Sequence, residues 1–458
     1  MPDTIMVMSE EKNGVSLETL VSLAKRRGFV FPASEIYGGI SGFYDYGPYG
    51  VQMARNLKSA WWDAFVRSVP NIYGLDSAII QSTKLWEASG HVGGFNDPMV
   101  ECNECHSRHR VDHLVGKEMD NLVDYVPLLN DVECTVCGKK GKFGEVKTFN
   151  MMFKTYVGAT DDNESVSYLR PETAGGIFAD FGQVLETTRA KLPFGIAQIG
   201  KAFRNEISPR EFLFRVREFE QMELEYFVSP ESAEKEFDQW KQISWDWLKE
   251  VGIDESNLQW HQHTQTERAH YAADSWDINY EYPFGSKELW GIANRTDFDL
   301  KAHSKGSGGD ITYFDTEKNE HIVPYVIEPS IGVSRLMLAA LHSAYTEEEV
   351  NGETRVVLKL KPGIAPVDVA ILPLSKKPEL SKIAHEIYVT LVGETDLTVE
   401  YDETQSIGKR YRRQDEIGTP KCITVDFDTL EDKAVTIRDR DTMEQKRVKI
   451  NELIAGLE

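Results

Sequence analysis

The stretch FRNEISPREFLFRVREFEQMELEYF, residues 203–227, decides the expected fold. Because successive side chains of a β-strand point to opposite faces of a sheet, its residues separate into two sets. The apolar set, which should belong to the core, is Phe212, Phe214, Val216, Met222, Leu224 and Tyr226. The opposite set is Arg215, Arg217, Phe219, Gln221, Glu223 and Glu225. The stretch therefore predicts a strand with one buried face and one charged face.

The preceding segment, PFGIAQIGKAFRNEI (193–207), divides in the same way. One face carries Ile199, Phe203 and Ile207, and the other carries Gln198, Gly200, Ala202, Arg204 and Glu206. With SPRE (208–211) as the loop, the two segments predict an antiparallel hairpin whose charged faces coincide. The small side chains of Gly200 and Ala202 should leave this face hollow.

A hollow sheet face with arginines, carboxylates and one aromatic ring suits a nucleotide. Guanidinium groups match the geometry of phosphate, and a ring stacks on a base. The alternative is a solvated sheet face with cross-strand ion pairs. That alternative gives no role to the small residues or to the lone Phe219.

The whole chain sets wider limits. Its 458 residues exceed one ordinary core, so a large domain with one or two smaller domains is expected. The acidic opening segment and the lack of a long apolar run predict a cytoplasmic protein with no secretory signal and no membrane association. A net charge of −23 argues against a protein that coats DNA or other nucleic acid non-specifically, but is compatible with local basic surfaces.

Hydrophobic spacing and breaker residues divide the chain further. A helix is predicted over 16–28, with Ser16 as its N-cap and Gly28 at its end, and a second helix over 51–69. Three further regions are predicted. A polar insertion that bears cysteines spans residues 100–148, and a linker spans residues 351–364. A small domain of alternating strands and helices spans residues 365–458.

Three segments carry a resemblance to class II aminoacyl-tRNA synthetases. FRNE, with Arg215, Phe219 and Glu223, resembles their motif 2. YDYGPYGVQMARNLKSAWW resembles motif 1, and IEPSIGVSRLMLAAL, which contains Arg335, resembles motif 3. More narrowly, the chain is similar to single-polypeptide, homodimeric glycyl-tRNA synthetases in GFVFPASEIYGG, SGHVGGFNDPM, YLRPETA, GIANRTDFDL and EPSIGVSR. These segments span nearly the whole chain.

This resemblance implies a fold, an activity and partners. The fold is of the α/β (α+β) class, with an antiparallel-sheet catalytic domain flanked by helices over residues 1–350 and an anticodon-binding domain over 365–458. The implied ligase activates glycine with ATP to glycyl-adenylate, releases pyrophosphate, and transfers glycine to the 3′ end of tRNA(Gly). ATP and Mg²⁺ are the implied cofactors. The implied partners are glycine, tRNA(Gly) and a second copy of the chain.

The resemblance also assigns the nucleotide site. It places Arg204 at the α-phosphate, Glu206 at the adenine amino group and Phe219 against the adenine ring. Arg215 and Arg335 are expected at the outer phosphates. Glu288 is expected to place magnesium, and the implied catalytic set is Arg204, Arg335 and Glu288. The implied ATP-binding set is Arg204, Asn205, Glu206, Phe214, Arg215, Val216, Arg217, Glu218, Phe219, Glu288, Leu289, Gly332, Val333, Ser334 and Arg335.

A second set is implied for glycine. Its members are Arg110, Glu172, Phe219, Glu220, Gln221, Met222, Glu223, Arg295, Glu328, Pro329, Ser330, Ile331 and Gly332. Carboxylates suit an α-ammonium, and an arginine suits a carboxylate. Since a missing methyl group supplies only about 1 to 3 kcal/mol of binding discrimination, larger amino acids must be excluded by filled space. Taken singly, Glu172 at a helix start and Ser330 as a helix cap also have structural explanations.

One residue departs from the family pattern. Where the family usually reads RPETAQG, this chain reads RPETAGG, with Gly175 in the glutamine position. We therefore leave Gly175 out of the predicted site.

Four of the five cysteines form two CxxC pairs, Cys102 with Cys105 and Cys134 with Cys137, separated by 28 residues. Two such pairs suit tetrahedral zinc, which would stabilise a polar insertion. The alternative is reduced thiols without metal, and the histidines that could compete as ligands are His106, His109 and His113. Cys422 is expected to be a small buried residue.

The terminal domain contains a basic helix segment. GKRYRRQ (408–414) combines positive charge with a tyrosine, as expected where phosphates and unstacked bases meet a protein. The alternative is a solvated helix face.

Two other functions fit the same fold. An accessory subunit of a mitochondrial DNA polymerase retains a synthetase-like fold without the catalytic residues, whereas Arg204, Phe219 and Arg335 are all present here. An enzyme that activates an amino acid for an acceptor other than tRNA is the second possibility. The terminal α/β domain argues against it.

Overall fold

The computed structural model describes residues 14–117, 119, 121–160, 162, 165–265, 267–268, 271–316 and 318–457. The acidic residues 1–13, on which the expected lack of a secretory signal rests, lie outside the described residues. Within the described part of the chain, none of the helices is long and apolar enough to cross a membrane.

A seven-stranded sheet forms the centre of the fold. Its strands are β1 (Ile72–Gly74), β2 (Phe194–Phe203), β3 (Glu218–Val228), β4 (Leu258–Gln262), β5 (Asp274–Tyr282), β6 (Gly285–Thr296) and β7 (Tyr325–Gly332). Their order across the sheet is β4-β5-β6-β7-β3-β2-β1. Every neighbouring pair is antiparallel except β2 and β1. The predicted antiparallel core sheet is confirmed.

The register of β2 and β3 confirms the predicted division into two faces. Gly200 pairs with Gln221 and Ala202 pairs with Phe219, so these side chains share the face away from the main core. Ile199 lies opposite the fully buried Met222 on the other face.

The loop between these strands is longer than the predicted SPRE turn. β2 ends at Phe203 and β3 begins at Glu218, with a 3₁₀ turn at Phe212–Phe214 between them. All three residues of this turn are buried. A strand that faces solvent on one side would bury only alternate residues. The prediction that residues 212–216 continue the strand is therefore wrong.

Helices pack on both faces of the sheet. The main helices of this part are α1 (Leu17–Arg26), α2 (Pro48–Trp62), α3 (Ala174–Thr188), α4 (Ala233–Glu250), α5 (Phe298–Ser307) and α6 (Val333–Ala344). Buried side chains of α2, α4 and α6 form one core with Met222 and Ile331 of the sheet. The predicted cap of α1 is confirmed, because the Thr19 amide donates to Ser16 Oγ at 3.2 Å, and Gly28 follows the helix with a φ of 74°.

The opposite face of the sheet is covered only in part. α3 and α5 pack on one end of it through Phe178, Phe181 and Leu300, which contact Phe194 and Phe227 of the strands. The remainder of this face is the floor of a cavity.

Shorter elements surround the sheet. The short helices are Thr83–Ala88, His91–Gly94, Val111–Val115 and Val126–Leu129, and a further short helix, Asp428–Asp432, lies in the C-terminal region. The short paired strands are Val30–Pro32 with Tyr44–Tyr46, Tyr313–Asp315 with Glu320–Ile322, and Val166–Leu169 with Ile80–Gln81 and Lys154–Tyr156.

The predicted insertion contains a small sheet of its own. Its strands are Asn96–Glu101, Arg108–Arg110 and Lys147–Asn150. Its buried residues are Val100, Val111, Tyr125, Leu129 and Val146. The insertion therefore has an apolar core in addition to its cysteines.

The C-terminal region forms a second, five-stranded sheet. Its strands are β8 (Val369–Pro373), β9 (Val399–Tyr401), β10 (Lys421–Val425), β11 (Ala434–Asp439) and β12 (Gln445–Lys449), and its main helices are α7 (Pro378–Glu394) and α8 (Ile407–Ile417). The order is β9-β8-β10-β11-β12, with β8 parallel to both of its neighbours. This is the predicted α/β arrangement.

The segment predicted as a linker is folded. Strands Tyr345–Val350 and Glu353–Leu358 pair around Asn351 and Gly352, whose φ angles are 55° and 80°. An Asn-Gly pair is typical of a two-residue hairpin turn. The buried Arg355 donates to Asp415 of α8 at 2.8 Å, so the segment connects the two sheets as a hairpin anchored on α8.

Candidate active site

A cavity of ≈ 280 Å³ lies on the partly covered face of the main sheet. The residues expected at the site that line it are Glu172, Arg204, Glu206, Phe214, Arg215, Val216, Phe219, Gln221, Glu223, Glu288, Glu328, Ser330, Gly332, Ser334 and Arg335. The fold therefore gathers most of the predicted polar side chains around one space.

Arg204 and Phe219 lie together at one end of this cavity, which we call the nucleotide end. The Arg204 guanidinium carbon is 5.4 Å from the centre of the Phe219 ring and 5.5 Å from that of Phe95. Its Nε donates to the Pro171 carbonyl at 3.0 Å. The arginine and the ring thus lie on the same side of the sheet, as the strand alternation predicts.

Arg335 and Glu288 lie together at the nucleotide end. Arg335 lies in the first turn of α6. Its guanidinium carbon lies 4.4 Å from the centre of the Phe214 ring, and its Nε donates to the Phe214 carbonyl at 3.2 Å. Its Nη1 is 2.9 Å from Glu288 Oε2. The charge of Arg335 lowers the pKa of Glu288. Glu288 is therefore an ionised carboxylate in reach of bound cations.

A second part of the cavity, which we call the amino-acid end, is lined by buried carboxyl groups. Glu223 is 1% exposed. It accepts hydrogen bonds from the Thr173 hydroxyl and, at 3.0 Å, from the Ser330 hydroxyl. Burial, and then the charge of Glu172, raise the pKa of Glu223.

Glu172 differs from Glu223 in its electrostatics. It lies 3.4 Å from His91 Nε2. Burial opposes its ionisation, but the charges of His91, Arg295 and Arg204 outweigh that effect and lower its pKa to about 2. Glu172 is therefore a permanent negative charge at neutral pH.

Glu328 lines the amino-acid end, whereas Arg295, which was also predicted to contact glycine, does not line the cavity and lies buried behind Glu328. Arg295 is 3% exposed, and it donates to Glu328 Oε2 at 2.6 Å and to both oxygens of Asp299 at 2.7 and 2.8 Å. Although Arg295 opposes the effect, burial raises the pKa of Glu328 to about 8. A single guanidinium here faces several acidic side chains, so this end can bind one more cation.

Several residues of the predicted sets do not line the cavity. Met222, Leu289, Ile331 and Val333 belong to the core on the other face. Pro329 is buried opposite Ile292, whereas Glu218 and Glu220 pair with Lys201 and Lys58. Alternation along the strands accounts for these placements, since the predicted sets included consecutive residues.

Three further predicted residues are used for structure. The Arg217 guanidinium donates to the carbonyls of Glu206 and Ser41. Asn205 contributes a backbone hydrogen bond to Met151 at 2.7 Å. Arg110, the last residue of the strand Arg108–Arg110, is held by Asp97 and Asp112 and does not line the cavity.

Sequence reasoning missed one wall of the cavity. The residues concerned are His263, Glu267, Tyr271, Ser275, Asp277, Gly291, Ile292 and Ala293. Ser275 lies opposite Ala293, and Asp277 lies opposite Gly291, so polar residues facing small ones could have been found by alternation. Burial, and then the charge of Glu288, raise the pKa of Asp277 to about 6.

The expected hollow above Gly200 is filled. A Cβ on Gly200 would lie 2.2 Å from Arg170 Nη2. Arg170 is buried there and donates to the carbonyls of Lys201 and Ser77 at 2.6 and 2.7 Å. The glycine is needed for the close approach of a guanidinium, and the cavity lies beside it rather than above it.

Gly175, where the family glutamine is replaced, faces an aromatic ring. A Cβ there would lie 2.8 Å from the fully buried Trp86 ring and 3.1 Å from Leu85. The indole occupies the space that a longer side chain needs, which explains the departure in this chain.

The four cysteines of the two CxxC pairs lie together. Their sulfur atoms are all within 4.8 Å of one another, and the pairs Cys102–Cys137 and Cys105–Cys134 are each 3.7 Å apart. A tetrahedral zinc ion with Zn–S bonds of about 2.3 Å requires sulfur separations of about 3.8 Å. His109 lies outside this group, with Nε2 3.4 Å from Cys134 Sγ. The four thiols fit a zinc ion.

The basic segment of α8 is turned inward in part. Arg410 is 2% exposed and donates to the carbonyls of Pro373 and Asp402. The Tyr411 hydroxyl bonds to Thr424. Arg410 and Tyr411 fix α8 to the sheet, whereas Lys409 is exposed, so contact of this segment with RNA stays a prediction.

The family comparisons define the class of the protein. Residues 153–344 match the family model described as tRNA synthetase class II core domain (G, H, P, S and T), and residues 368–458 match that of the anticodon binding domain. The fold is similar to Giardia lamblia prolyl-tRNA synthetase in complex with prolyl-adenylate, with a TM-score of 0.66 and 18% identity over 98% of this chain and 76% of that one. Together, fold and site define a class II aminoacyl-tRNA synthetase.

Relatives at higher identity define the family. The glycine–tRNA ligases of Geobacillus kaustophilus and Caldanaerobacter subterraneus subsp. tengcongensis are 53% and 52% identical to this chain, over 97% of it and 98% of each relative. The chain belongs to the glycine–tRNA ligase family.

Proposed function

We propose that this chain activates glycine with ATP and transfers it to the 3′ end of tRNA(Gly) in the cavity of the main sheet. The observation that carries the proposal is the pairing of two unlike ends on one sheet face. Stacked guanidinium groups lie at the nucleotide end, and buried carboxyl groups that face a single arginine lie at the amino-acid end.

In the first step the glycine carboxylate attacks the α-phosphorus of ATP in line. A P–O bond to the new mixed anhydride forms, and the P–O bond to pyrophosphate breaks. Arg204, which lies beside the ring of Phe219, would hold the α-phosphate, and Arg215 and Arg335 would hold the outer phosphates. No protein nucleophile is needed, because positioning and charge stabilisation lower the barrier.

The nucleotide end also fits a divalent cation. Glu288 is an ionised oxygen ligand at the cavity, and oxygen ligands are those that Mg²⁺ prefers. Bound Mg²⁺ would neutralise charge on the phosphates. Arg335, paired with Glu288, would keep this carboxylate oriented.

In the second step a ribose hydroxyl at the tRNA 3′ end attacks the carbonyl carbon of glycyl-adenylate. An ester bond forms and AMP leaves. We assign residues 1–350 to this chemistry and 365–458 to anticodon binding, in agreement with the second family match.

Glycine recognition is assigned to the amino-acid end. Glu223 and Glu328 are placed to receive the α-ammonium, with Glu172 as a further negative charge. Larger amino acids would be excluded because the side chains of Gln221 and Ser330, which are hydrogen-bonded to each other, occupy the floor.

We further propose structural zinc on the four clustered cysteines, a homodimer, and a cytoplasmic location. The fit of the sulfur separations supports the zinc ion. Ile36 and Tyr37, which are 88% and 87% exposed, precede the segment that resembles motif 1 and support a second copy as partner. Free thiols support a reducing compartment.

Mass spectrometry under native conditions, with Cys422→Ser as the matched control, should show one zinc per chain that Cys134→Ser loses.

The experiment that tests the function is ATP/pyrophosphate exchange with glycine, alanine and serine, followed by charging of purified tRNA(Gly). Exchange with glycine alone and charging are expected. Absence of exchange would favour a non-catalytic protein of this fold. Exchange without charging would favour an acceptor other than tRNA.

A further inference from the structure

One acid of the amino-acid end has no assigned role. Glu225 lies two residues beyond Glu223 in β3 and is 0% exposed. Neither of its carboxyl oxygens has a hydrogen-bond partner among the described residues. A buried ionised carboxylate without partners is strongly unfavourable, whereas an un-ionised acid tolerates burial better.

The neighbours of Glu225 are mostly acidic. Its carboxyl group lies within 4.8 Å of those of Glu223, on its own strand, and Glu328, on β7. Arg295 on β6 and Asp299 on α5 also face it. Since Arg295 already donates to Glu328 and Asp299, Glu225 receives no cation of its own.

The hydrogen-bonding state of the neighbours indicates where a proton on Glu225 would point. Glu223 accepts from Thr173 at one oxygen and from Ser330 at the other. Glu328 uses one oxygen, Oε2, for Arg295. Glu328 is therefore the better acceptor for a further donor.

We infer that Glu225 is an un-ionised carboxylic acid whose hydroxyl donates a hydrogen bond to Glu328, and that it is a positioning residue for the glycine ammonium. Held in this way, Glu328 and Glu223 converge on the ammonium, and a third negative charge does not accumulate beneath them. Burial raises the pKa of Glu225 well above its ordinary value, and the charge of Glu328 adds to this effect. The inference rests on the glycine site proposed above.

Two substitutions separate a neutral donor from an ionised ligand. Glu225→Leu removes the donor and keeps a similar volume, and it should raise the KM for glycine at least about tenfold, the loss expected for a hydrogen bond to a charged group. Glu225→Gln keeps a neutral donor and should recover most of the glycine affinity that Glu225→Leu loses. In both variants the KM for ATP should change less than about twofold, because the nucleotide end is untouched.

The outcomes divide clearly. Equal increases of the glycine KM in Glu225→Gln and Glu225→Leu would show that Glu225 is ionised when glycine is bound, and would overturn the inference. No increase in either variant would also overturn it. Glu223→Gln and Glu328→Gln test the site beneath the inference: if neither raises the glycine KM, the glycine site itself is wrong, whereas if both do and Glu225→Leu does not, only the role of Glu225 fails.

A spectroscopic measurement covers the case in which Glu225→Leu does not fold. The infrared difference between the wild-type protein and Glu225→Gln at neutral pH should show the loss of one carbonyl band of an un-ionised carboxylic acid. Loss of a carboxylate band instead would overturn the inference. This readout needs no activity and distinguishes a protonated acid from a residue with a merely structural role.

Discussion

The two ends of the cavity carry opposite kinds of charged side chain, arginines at the nucleotide end and carboxyl groups at the amino-acid end. At the nucleotide end, Arg204 and Arg335 lie against aromatic rings and donate to backbone carbonyls, and the side chain of Glu288 is 46% exposed. At the amino-acid end, Glu223 and Glu225 are almost fully buried around one guanidinium. We propose that the first end receives a large anion with fixed positive groups, and that the second, where Glu172 is already ionised, gains further negative charge when a small cation binds.

Because of this difference, we expect substitutions at the nucleotide end to change kcat and substitutions at the amino-acid end to change the KM for glycine. Groups that meet phosphate oxygens act where charge redistributes in the reaction, so their loss should lower kcat. Groups that meet the ammonium hold a charge that is the same before and after activation. Their loss should therefore raise the KM for glycine and leave kcat nearly unchanged.

The largest effect is expected from Arg204→Ala. Removal of a charge-stabilising donor at the reacting phosphate should lower kcat of glycine-dependent pyrophosphate exchange by about 10²- to 10³-fold. The KM for glycine should stay within a few-fold of the wild-type value. Arg67→Ala, in an exposed ion pair with Asp63, is the matched control and should have no effect. A rise in the KM for glycine as large as the fall in kcat would contradict the proposed division of nucleotide and glycine binding between the two ends.

Glu223→Gln should give the next largest effect, and on the other parameter. The amide keeps the shape but removes the charge, so the KM for glycine should rise about 10- to 100-fold, as for loss of a hydrogen bond to a charged group. The KM for ATP is the internal control, and thermal unfolding checks the fold. An unchanged glycine KM would show that the ammonium binds elsewhere.

The pH dependence of the two KM values should differ as well. Burial raises the pKa of Glu328 to about 8, so below that pH the free protein holds a proton that the ammonium must displace. Glycine affinity should therefore rise with pH, by up to about tenfold per unit, and level off near pH 8. Glu172, whose pKa is lowered to about 2, stays ionised throughout this range. A glycine KM that is flat between pH 6 and 8 would contradict this sign.

The sequence predicts the nucleotide end better than the amino-acid end, for a physical reason. Arg204 and Phe219 follow from strand alternation within one antiparallel pair, which is a local pattern. The partnerships of Glu223 with Thr173, and of Glu328 with Arg295, join separate elements and depend on the register of β6, β7 and β3. Alternation alone does not give that register.

The misplaced residues have the same origin. The space over Gly200 is filled by the side chain of Arg170, and Arg410 turns inward to the carbonyl of Pro373, so both placements join elements that are distant in the sequence. A local pattern cannot show that an arginine is consumed by backbone carbonyls. By contrast, Asn351-Gly352 is itself a local hairpin signal, so the prediction of a linker over residues 351–364 is wrong at a point where the local pattern suffices.

The smallest effect is expected from Phe219→Leu, which sharpens the comparison within the nucleotide end. The ring lies beside Arg204 over the small Ala202, and stacking of an aromatic ring contributes about 0.5 to 1.5 kcal/mol beyond area burial. The KM for ATP should therefore rise about 2- to 12-fold, with kcat and the KM for glycine nearly unchanged. Phe203→Leu, at the end of the neighbouring strand and on the opposite face, is the matched control and should leave the KM for ATP unchanged. Equal effects of the two substitutions would show that the loss comes from sheet packing, and would remove Phe219 from the proposed base-stacking role.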